Sequence, residues 1–160
     1  MSFPIKTVQN FPKEGVNFYD MCEYYSNPDN LSVELDFMST LPKYNLLFGV
    51  ESRGFFMTSL HSISSRTKAI YIRKRGKVPG DKVIIETKNE YATEVLEMPK
   101  VDVKDKKCLI IDDVIATGGT ALAVSNKLLE LGASQVDVYC TVLISHLNKY
   151  EGRVFSMFTT

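Results

Sequence analysis

Apolar residues along this chain fall into two rhythms. Leu31, Leu35, Met38 and Leu41 recur every three or four positions behind Asn27-Pro28, a capping residue and a proline suited to the first helical turn, which predicts a helix over about 28–41 ending before Pro42. Asn45–Val50 (NLLFGV) is apolar and of strand length, and beyond Gly54 the spacing of Phe56, Leu60 and Ile63 predicts a helix laid against it. Strand-like pieces follow at Ala69–Arg73, Val83–Thr87 and Thr93–Met98. Between the first two, KRGKVPGDK is too rich in Gly, Pro and Lys to be a buried element and reads as a loop with exposed tips. Lys107–Asp113 (KCLIIDD) is a continuous apolar run ending in two acids, the pattern of a central parallel strand covered on both faces. Gly118-Gly119 then opens a helix carrying Leu122, Leu128, Leu129 and Leu131 and closed by Gly132, and Val136–Ile144 is the strand after it. Strand, loop, helix, strand in this order is the unit of an α/β fold, here a single domain with a mainly parallel central sheet flanked by helices.

Composition narrows the class. At 160 residues, 44% hydrophobic and 24% charged, the chain is an ordinary globular one with room for one full-sized domain. Nineteen Lys+Arg balance nineteen Asp+Glu, which removes the electrostatic argument for a protein that coats nucleic acid or an anionic membrane. Cys22, Cys108 and Cys140 are odd in number, far apart and without a CxxC pair. They suggest neither a disulfide framework nor a zinc cluster, and read as small apolar core residues in a reducing, cytoplasmic setting. The N-terminus has no apolar signal region and no stretch reaches about 18 uninterrupted apolar residues, so neither secretion nor membrane spanning is expected.

In a parallel sheet, ligands bind beyond the carboxyl ends of the strands, so the loops there carry the chemistry. After KCLII comes Asp112-Asp113-Val114-Ile115-Ala116-Thr117-Gly118-Gly119-Thr120, two carboxylates and then a Gly-rich turn into a helix N-terminus. Backbone N–H groups and the helix dipole can hold a phosphate there. The glycines are adjacent and no Lys follows them, which excludes both GxGxxG and Walker A. The carboxylates would repel a phosphate beside them; one sugar-width away they would accept hydrogen bonds from ribose hydroxyls. The local pattern also leaves open a solvated acid pair with a glycine turn. Glu51-Ser52-Arg53-Gly54 is a second strand-to-helix loop and a second anion site, so the two together suggest a ligand with phosphates at both ends. Arg66, Lys68, Arg73, Lys74, Arg75, Lys77 and Lys82 against a lone Asp81 form either a solvated basic face or a mobile cationic loop for a departing pyrophosphate. His61 reads as a helix-surface residue, and Tyr24, Tyr25, Phe55 and Phe56 as packing.

These residues carry a family resemblance. DDVIATGGT resembles the phosphoribosyl-pyrophosphate (PRPP) motif of type I phosphoribosyltransferases. With FPKEGVNFYD, ESRGF, IRKRGKVPG and EYATEVLEM, in family order across roughly residues 8–145, the set is most similar to the adenine phosphoribosyltransferases. The resemblance implies the type I fold with a small hood drawn from about 1–25 and 140–160, and transfer of the 5-phosphoribosyl group from PRPP to a purine. Adenine would yield AMP and pyrophosphate in purine salvage, with Mg²⁺ riding on PRPP. It further implies that Asp112 and Asp113 take the ribose hydroxyls and that Ala116, Thr117, Gly118, Gly119 and Thr120 cradle the 5′-phosphate. Ser52, Arg53, Gly54, Arg73, Lys74 and Lys77 would hold pyrophosphate. Glu90 would handle the purine proton, forming the catalytic set with Arg53, and Tyr91 would close over the site. Asn17, Phe18 and Tyr19 would meet the base. A homodimer is implied, with part of the basic loop shared between subunits.

The chain departs from the family pattern at Tyr19, where arginine is usual, at Ala92, where glycine is typical, and at Ser145-His146 in place of a Glu-Leu pair. Tyrosine lacks arginine's charged fork, and His146, if it meets the base, is both donor and acceptor. The chain also starts at the first motif without the family's N-terminal helix, so fewer hood or dimer contacts are expected. Two alternatives therefore stay open: the same chemistry on another base such as a 6-oxopurine, and a PRPP-binding regulatory protein without catalysis.

Overall fold

The computed structural model describes residues 5–88 and 93–160, and the chain divides into two compact units, Met1–Thr40 and Leu41–Thr160. In the smaller unit, strands β1 (Lys6–Gln9) and β2 (Asn17–Asp20) pair antiparallel, Val8 opposite Phe18. Two helices follow, α1 (Met21–Ser26) and α2 (Pro28–Ser39). Asp20 caps α1 by accepting the Cys22 N–H at 3.0 Å, and Asn27 caps α2 by accepting the Asp29 N–H at 2.9 Å, with Pro28 in the first position. The helix predicted from Asn27-Pro28 is thus present and stops short of Pro42. The hairpin and α1 went unpredicted, being too short for periodicity to register. Tyr24 is buried, and burial together with the Glu34 carboxylate that its hydroxyl bonds raises its pKa above the ordinary tyrosine value.

The larger unit is built on a sheet in the order β5-β6-β4-β3-β7-β8-β9. β3 (Leu46–Val50), β4 (Lys68–Lys74), β7 (Lys107–Ile115), β8 (Gln135–Leu143) and β9 (Val154–Thr159) run parallel, while β5 (Lys82–Lys88) and β6 (Thr93–Pro99) form an antiparallel hairpin at one edge. Helix α3 (Gly54–Ser65) links β3 to β4, and α4 (Gly119–Glu130) links β7 to β8. Cys108–Ile111 is buried throughout, as the apolar run predicted for a strand covered on both faces. Phe48, Val50, Ile110, Val138 and Cys140 pack with Ala121, Val124 and Leu128 of α4. On the other face, α3 lies so close that a Cβ on Gly49 would strike the Thr58 side chain. Among the described residues no helix is long and apolar enough to cross a membrane.

Several packing expectations are corrected. On α3 the buried stripe is Gly54, Met57, Thr58 and His61, whereas Phe56 is 40% and Ile63 77% exposed. His61 is therefore an interior residue whose burial lowers its pKa, not a surface one. Of the four leucines expected to seat α4, only Leu128 is buried; the small residues Ala121 and Ser125 share its face because the helix lies close to the sheet. Cys22 is exposed, while Cys108 and Cys140 are buried as expected. Val78 is buried within a loop expected to be exposed, because its N–H reaches the Glu97 carboxylate on β6 at 3.4 Å.

At the amino-terminal end of the sheet, buried Asp137 accepts hydrogen bonds through Oδ2 from Tyr44 Oη and Gln135 Nε2, each at 2.6 Å. Burial first, then this bond, raises the Tyr44 pKa above the usual tyrosine value. Tyr44→Phe removes one of two donors to a buried carboxylate and is expected to cost about 1–3 kcal/mol in urea unfolding. A loss under about 0.5 kcal/mol would mean the bond adds nothing net to the fold.

Candidate active site

The two crossovers leave in opposite directions: β3 returns through α3 to β4 on one side, and β7 returns through α4 to β8 on the other, while β3 and β7 are neighbours. That is a topological switch point, where the strand ends open a crevice. The loop after β3, Glu51-Ser52-Arg53, joins Gly54 directly on the edge of β7. A Cβ at Gly54 would lie 2.5 Å from the Ile111 carbonyl oxygen and 3.1 Å from the Asp112 Cα, so only glycine lets this loop rest there. The Glu51–Ser52 peptide is cis.

Two cavities meet at this point. One, of about 480 Å³, is lined by Glu51, Ser52, Arg53, Lys74, Lys77, Asp112, Asp113 and Val114. The other, of about 200 Å³, is lined by Asp112, Val114 and residues 115–121 together with apolar side chains of the sheet. They share Asp112 and Val114. In the second, Gly118 takes φ 78° and no side chain caps α4, so first-turn N–H groups are left as donors for an anion. The turn is braced from behind: a Cβ on Gly118 would meet Asn148 Oδ1 at 2.6 Å and Tyr150 Cβ at 2.8 Å, and Lys149 donates its N–H to the Thr117 carbonyl at 3.0 Å. Exposed His146 belongs to the same bracing segment.

The acid pair differs in its surroundings. Asp113 is buried; Oδ1 accepts the Val114 N–H at 2.8 Å, and Oδ2 lies 2.8 Å from Arg53 Nε. That approach is off the N–H axis, so it is an ion pair, and Oδ2 keeps an unused hydrogen-bond acceptor. Asp112 is partly buried and accepts the Asp113 N–H at 2.9 Å. Burial, with the Asp113 charge beside it, pushes Asp112 well above the usual carboxylate range.

The cations are paired as well. Lys77 is ion-paired with Glu51, whose Oε2 also accepts the Lys74 backbone N–H at 2.8 Å and lies 3.7 Å from Arg73 Nε. The Lys77 bond, then the Lys74 N–H, hold Glu51 below the usual carboxylate range. Lys74 Nζ is 3.3 Å from Glu94, and Lys82 Nζ 3.5 Å from Glu97. The Gly76 N–H, then that of Val78, hold Glu97 low. The basic tract is thus anchored at three carboxylates, Glu51, Glu94 and Glu97, rather than freely solvated. Arg66 caps the carboxyl end of α3 and Lys68 begins β4, the opposite end of that strand from Lys74.

The fold therefore brings Ser52, Arg53, Lys74, Lys77, Asp112 and Asp113 to one cavity and Ala116–Thr120 to the next. Arg73 joins them through Glu51. Asn17, Phe18 and Tyr19 lie on β2 of the smaller unit, where Phe18 meets Phe11 edge-on at 5.1 Å. Glu90, Tyr91 and Ala92 lie outside the described residues. Sequence reading gave no role to Glu51, Glu97, Asn148 or Tyr150. The acid directly before Ser52-Arg53 was the one visible signal, since a carboxylate in an anion-binding loop needs a cation beside it.

The family model for the phosphoribosyl transferase domain matches residues 43–158. The adenine phosphoribosyltransferase of Mycoplasmopsis pulmonis is 34% identical over 146 residues, covering 90% of this chain and 86% of that protein. That of Treponema denticola is 36% identical over 143 residues, covering 87% and 75%. The crystal structure of adenine phosphoribosyltransferase from Saccharomyces cerevisiae, complexed with D-2,5-dideoxy-2,5-imino-altritol 1,6-bisphosphate and adenine, superposes with a TM-score of 0.87 at 25% identity, covering 96% of this chain and 93% of that one.

The raised Asp112 pKa has a stability consequence. The folded state holds this proton to higher pH than the unfolded chain, so the associated stability is present at acid pH and is lost as pH rises through the raised value. Asp112→Asn, which keeps an acceptor for the Asp113 N–H, is expected to raise the thermal midpoint at pH 8 by roughly 2–4 °C and to lose that gain toward pH 4. A midpoint lowered at pH 8 would show that the ionised carboxylate is not a burden on the fold.

Proposed function

The chain belongs to the phosphoribosyltransferase family, and from that premise we propose that it transfers the 5-phosphoribosyl group of Mg²⁺-bound PRPP to adenine, releasing AMP and pyrophosphate in purine salvage. The observation that carries this reading is the pair of contiguous cavities sharing Asp112, one lined with helix N–H groups and small hydroxyls, the other with Arg53, Lys74 and Lys77. A ligand with a phosphate at one end, a diol in the middle and a pyrophosphate at the other fits that order. The yeast relative, bound to a bisphosphate and adenine, supports the same division.

The residues act as follows. Ala116–Thr120 and the uncapped start of α4 hold the 5′-phosphate. Asp112 and Asp113 receive the ribose hydroxyls, and the unused Asp113 Oδ2 is available to one of them. Ser52, Arg53 and Gly54, with Arg73, Lys74 and Lys77, take up charge on the leaving pyrophosphate as the ribosyl carbon becomes cationic. Catalysis is then positioning and charge stabilisation, completed by proton transfer from the purine to Glu90 while Tyr91 closes the site. Asn17, Phe18 and Tyr19 are assigned to the base, and so is His146. Mg²⁺ enters on PRPP as part of the substrate.

A homodimer in the cytoplasm belongs to this reading. The exposed Phe56 and Ile63 give α3 an apolar face suited to a second copy, and the three cysteines, which form no disulfide among the described residues, suit a reducing compartment. Sedimentation at micromolar concentration is expected to give a dimer; a monomer throughout counts against it.

Steady-state assays with PRPP, Mg²⁺ and a nucleobase panel test the activity. Adenine turnover is expected to exceed that of hypoxanthine and guanine. Preference for a 6-oxopurine would move the assignment to the alternative suggested by Tyr19 and His146, and PRPP binding without turnover of any base would leave a regulatory role. Asp113→Asn is expected to weaken PRPP about 10- to 100-fold, as loss of a charge-assisted hydrogen bond dictates. Glu90→Gln is expected to lower kcat about a hundredfold or more with little change in PRPP affinity. An undiminished kcat, with chemistry rate-limiting, removes Glu90 from proton transfer.

A further inference from the structure

Glu51 lines the cavity whose cations, Arg53, Lys74 and Lys77, suit a polyanion. On charge alone it repels the pyrophosphate that Arg53, Lys74 and Lys77 attract. Its contacts give it a different task. The side chain is nine-tenths buried; Oε1 pairs with Lys77 Nζ, and Oε2 accepts the Lys74 N–H at 2.8 Å. Arg73 Nε lies 3.7 Å from Oε2, and Arg73 Nη1 donates to the Lys77 carbonyl at 3.1 Å. The Arg73 and Lys77 side chains therefore converge, beside the Lys74 backbone N–H, on one residue of the loop after β3, while the Lys74 ammonium lies on Glu94. Without that counter-charge they would repel one another, and on the other side the turn is tied to Glu97 through Val78 and Lys82.

We propose that Glu51 is a positioning residue acting through Lys77: it holds the Lys77 ammonium and the basic turn against the cavity, so the cation is in place before the substrate arrives and is handed over to the pyrophosphate oxygens. This rests on the reading of that cavity as the pyrophosphate site. The handover moves no covalent bond; one ion pair is exchanged for another. A carboxylate is a suitable holder because it keeps a flexible lysine ordered before the ligand binds, when otherwise its ordering would oppose binding.

Calorimetric titration of Mg²⁺-pyrophosphate and, separately, of AMP into the full chain tests this. Glu51→Gln keeps an acceptor for the Lys74 N–H and loses the ion pair. Its pyrophosphate Kd is expected to rise about tenfold, the order of one charge-assisted contact, with AMP Kd within about twofold of the unsubstituted value. In a Lys77→Met background, Glu51→Gln is expected to change the pyrophosphate Kd less than about twofold, since the lysine it acts through is gone. A pyrophosphate Kd that falls or stays level, as simple repulsion dictates, overturns the proposal. So does an undiminished effect in the Lys77→Met background, or an equal loss of AMP binding. Glu51→Asp keeps the charge and shortens the reach by one methylene, so it repeats the test should the glutamine variant not fold: a raised pyrophosphate Kd is expected, and an unchanged one overturns. Absence of pyrophosphate binding by the unsubstituted chain would overturn the cavity assignment along with the proposal, whereas adenine turnover tests the activity independently.

Discussion

Parallel pairing of β3 with β7 is the constraint on which the larger unit depends. It sets side by side two strand ends whose loops lie far apart in the chain, and the seat of Gly54 on the Ile111 carbonyl closes the gap between them. A cationic loop and an acidic strand end then share one wall. Any side chain at position 54 would push the Ser52-Arg53 loop off β7, and the Arg53–Asp113 pair with it. Backbone contact, rather than side-chain attraction, brings opposite charges within reach of a single small ligand.

Charge in the site is neutralised from within. Arg53 rests on Asp113, and Lys77 on Glu51, so each of these cations has a carboxylate partner. On the proposed reading, ligand binding is an exchange of partners, in which the net gain is smaller than the sum of new contacts but the geometry is settled beforehand. The zero net charge of the chain has a local counterpart in this arrangement. On the same reading, one ligand of matching length replaces both internal pairs.

Legibility in the sequence followed the length and regularity of each signal. The buried run 108–111, the Asn27-Pro28 cap and the Gly118-Gly119 turn were readable because each rests on interactions within a few residues. Four-residue strands β1 and β2 were not, since no period can be counted over so few positions. Helix faces were misjudged where the sheet comes close: His61, Thr58 and Ala121 are inside while Phe56, Ile63 and Leu122 are outside, because close packing against strands selects by shape as much as by hydrophobicity. The basic tract could be counted but not apportioned, as nothing local distinguishes Lys77, tied to Glu51, from Lys68 at the other end of β4.

By itself, the order of residues determined the α/β class, the two strand-to-helix loops and the acid pair between them, since these depend on hydrophobic period, glycine placement and strand-to-helix junctions. Only the tertiary structure decided which charges face each other: that Glu51 faces Lys77, that Arg53 pairs with Asp113 and not Asp112, and that Asn148 and Tyr150 support Gly118. Local sequence specifies backbone conformation, whereas the partner of a charge is set by strand order and register, which join segments that carry no mark of one another.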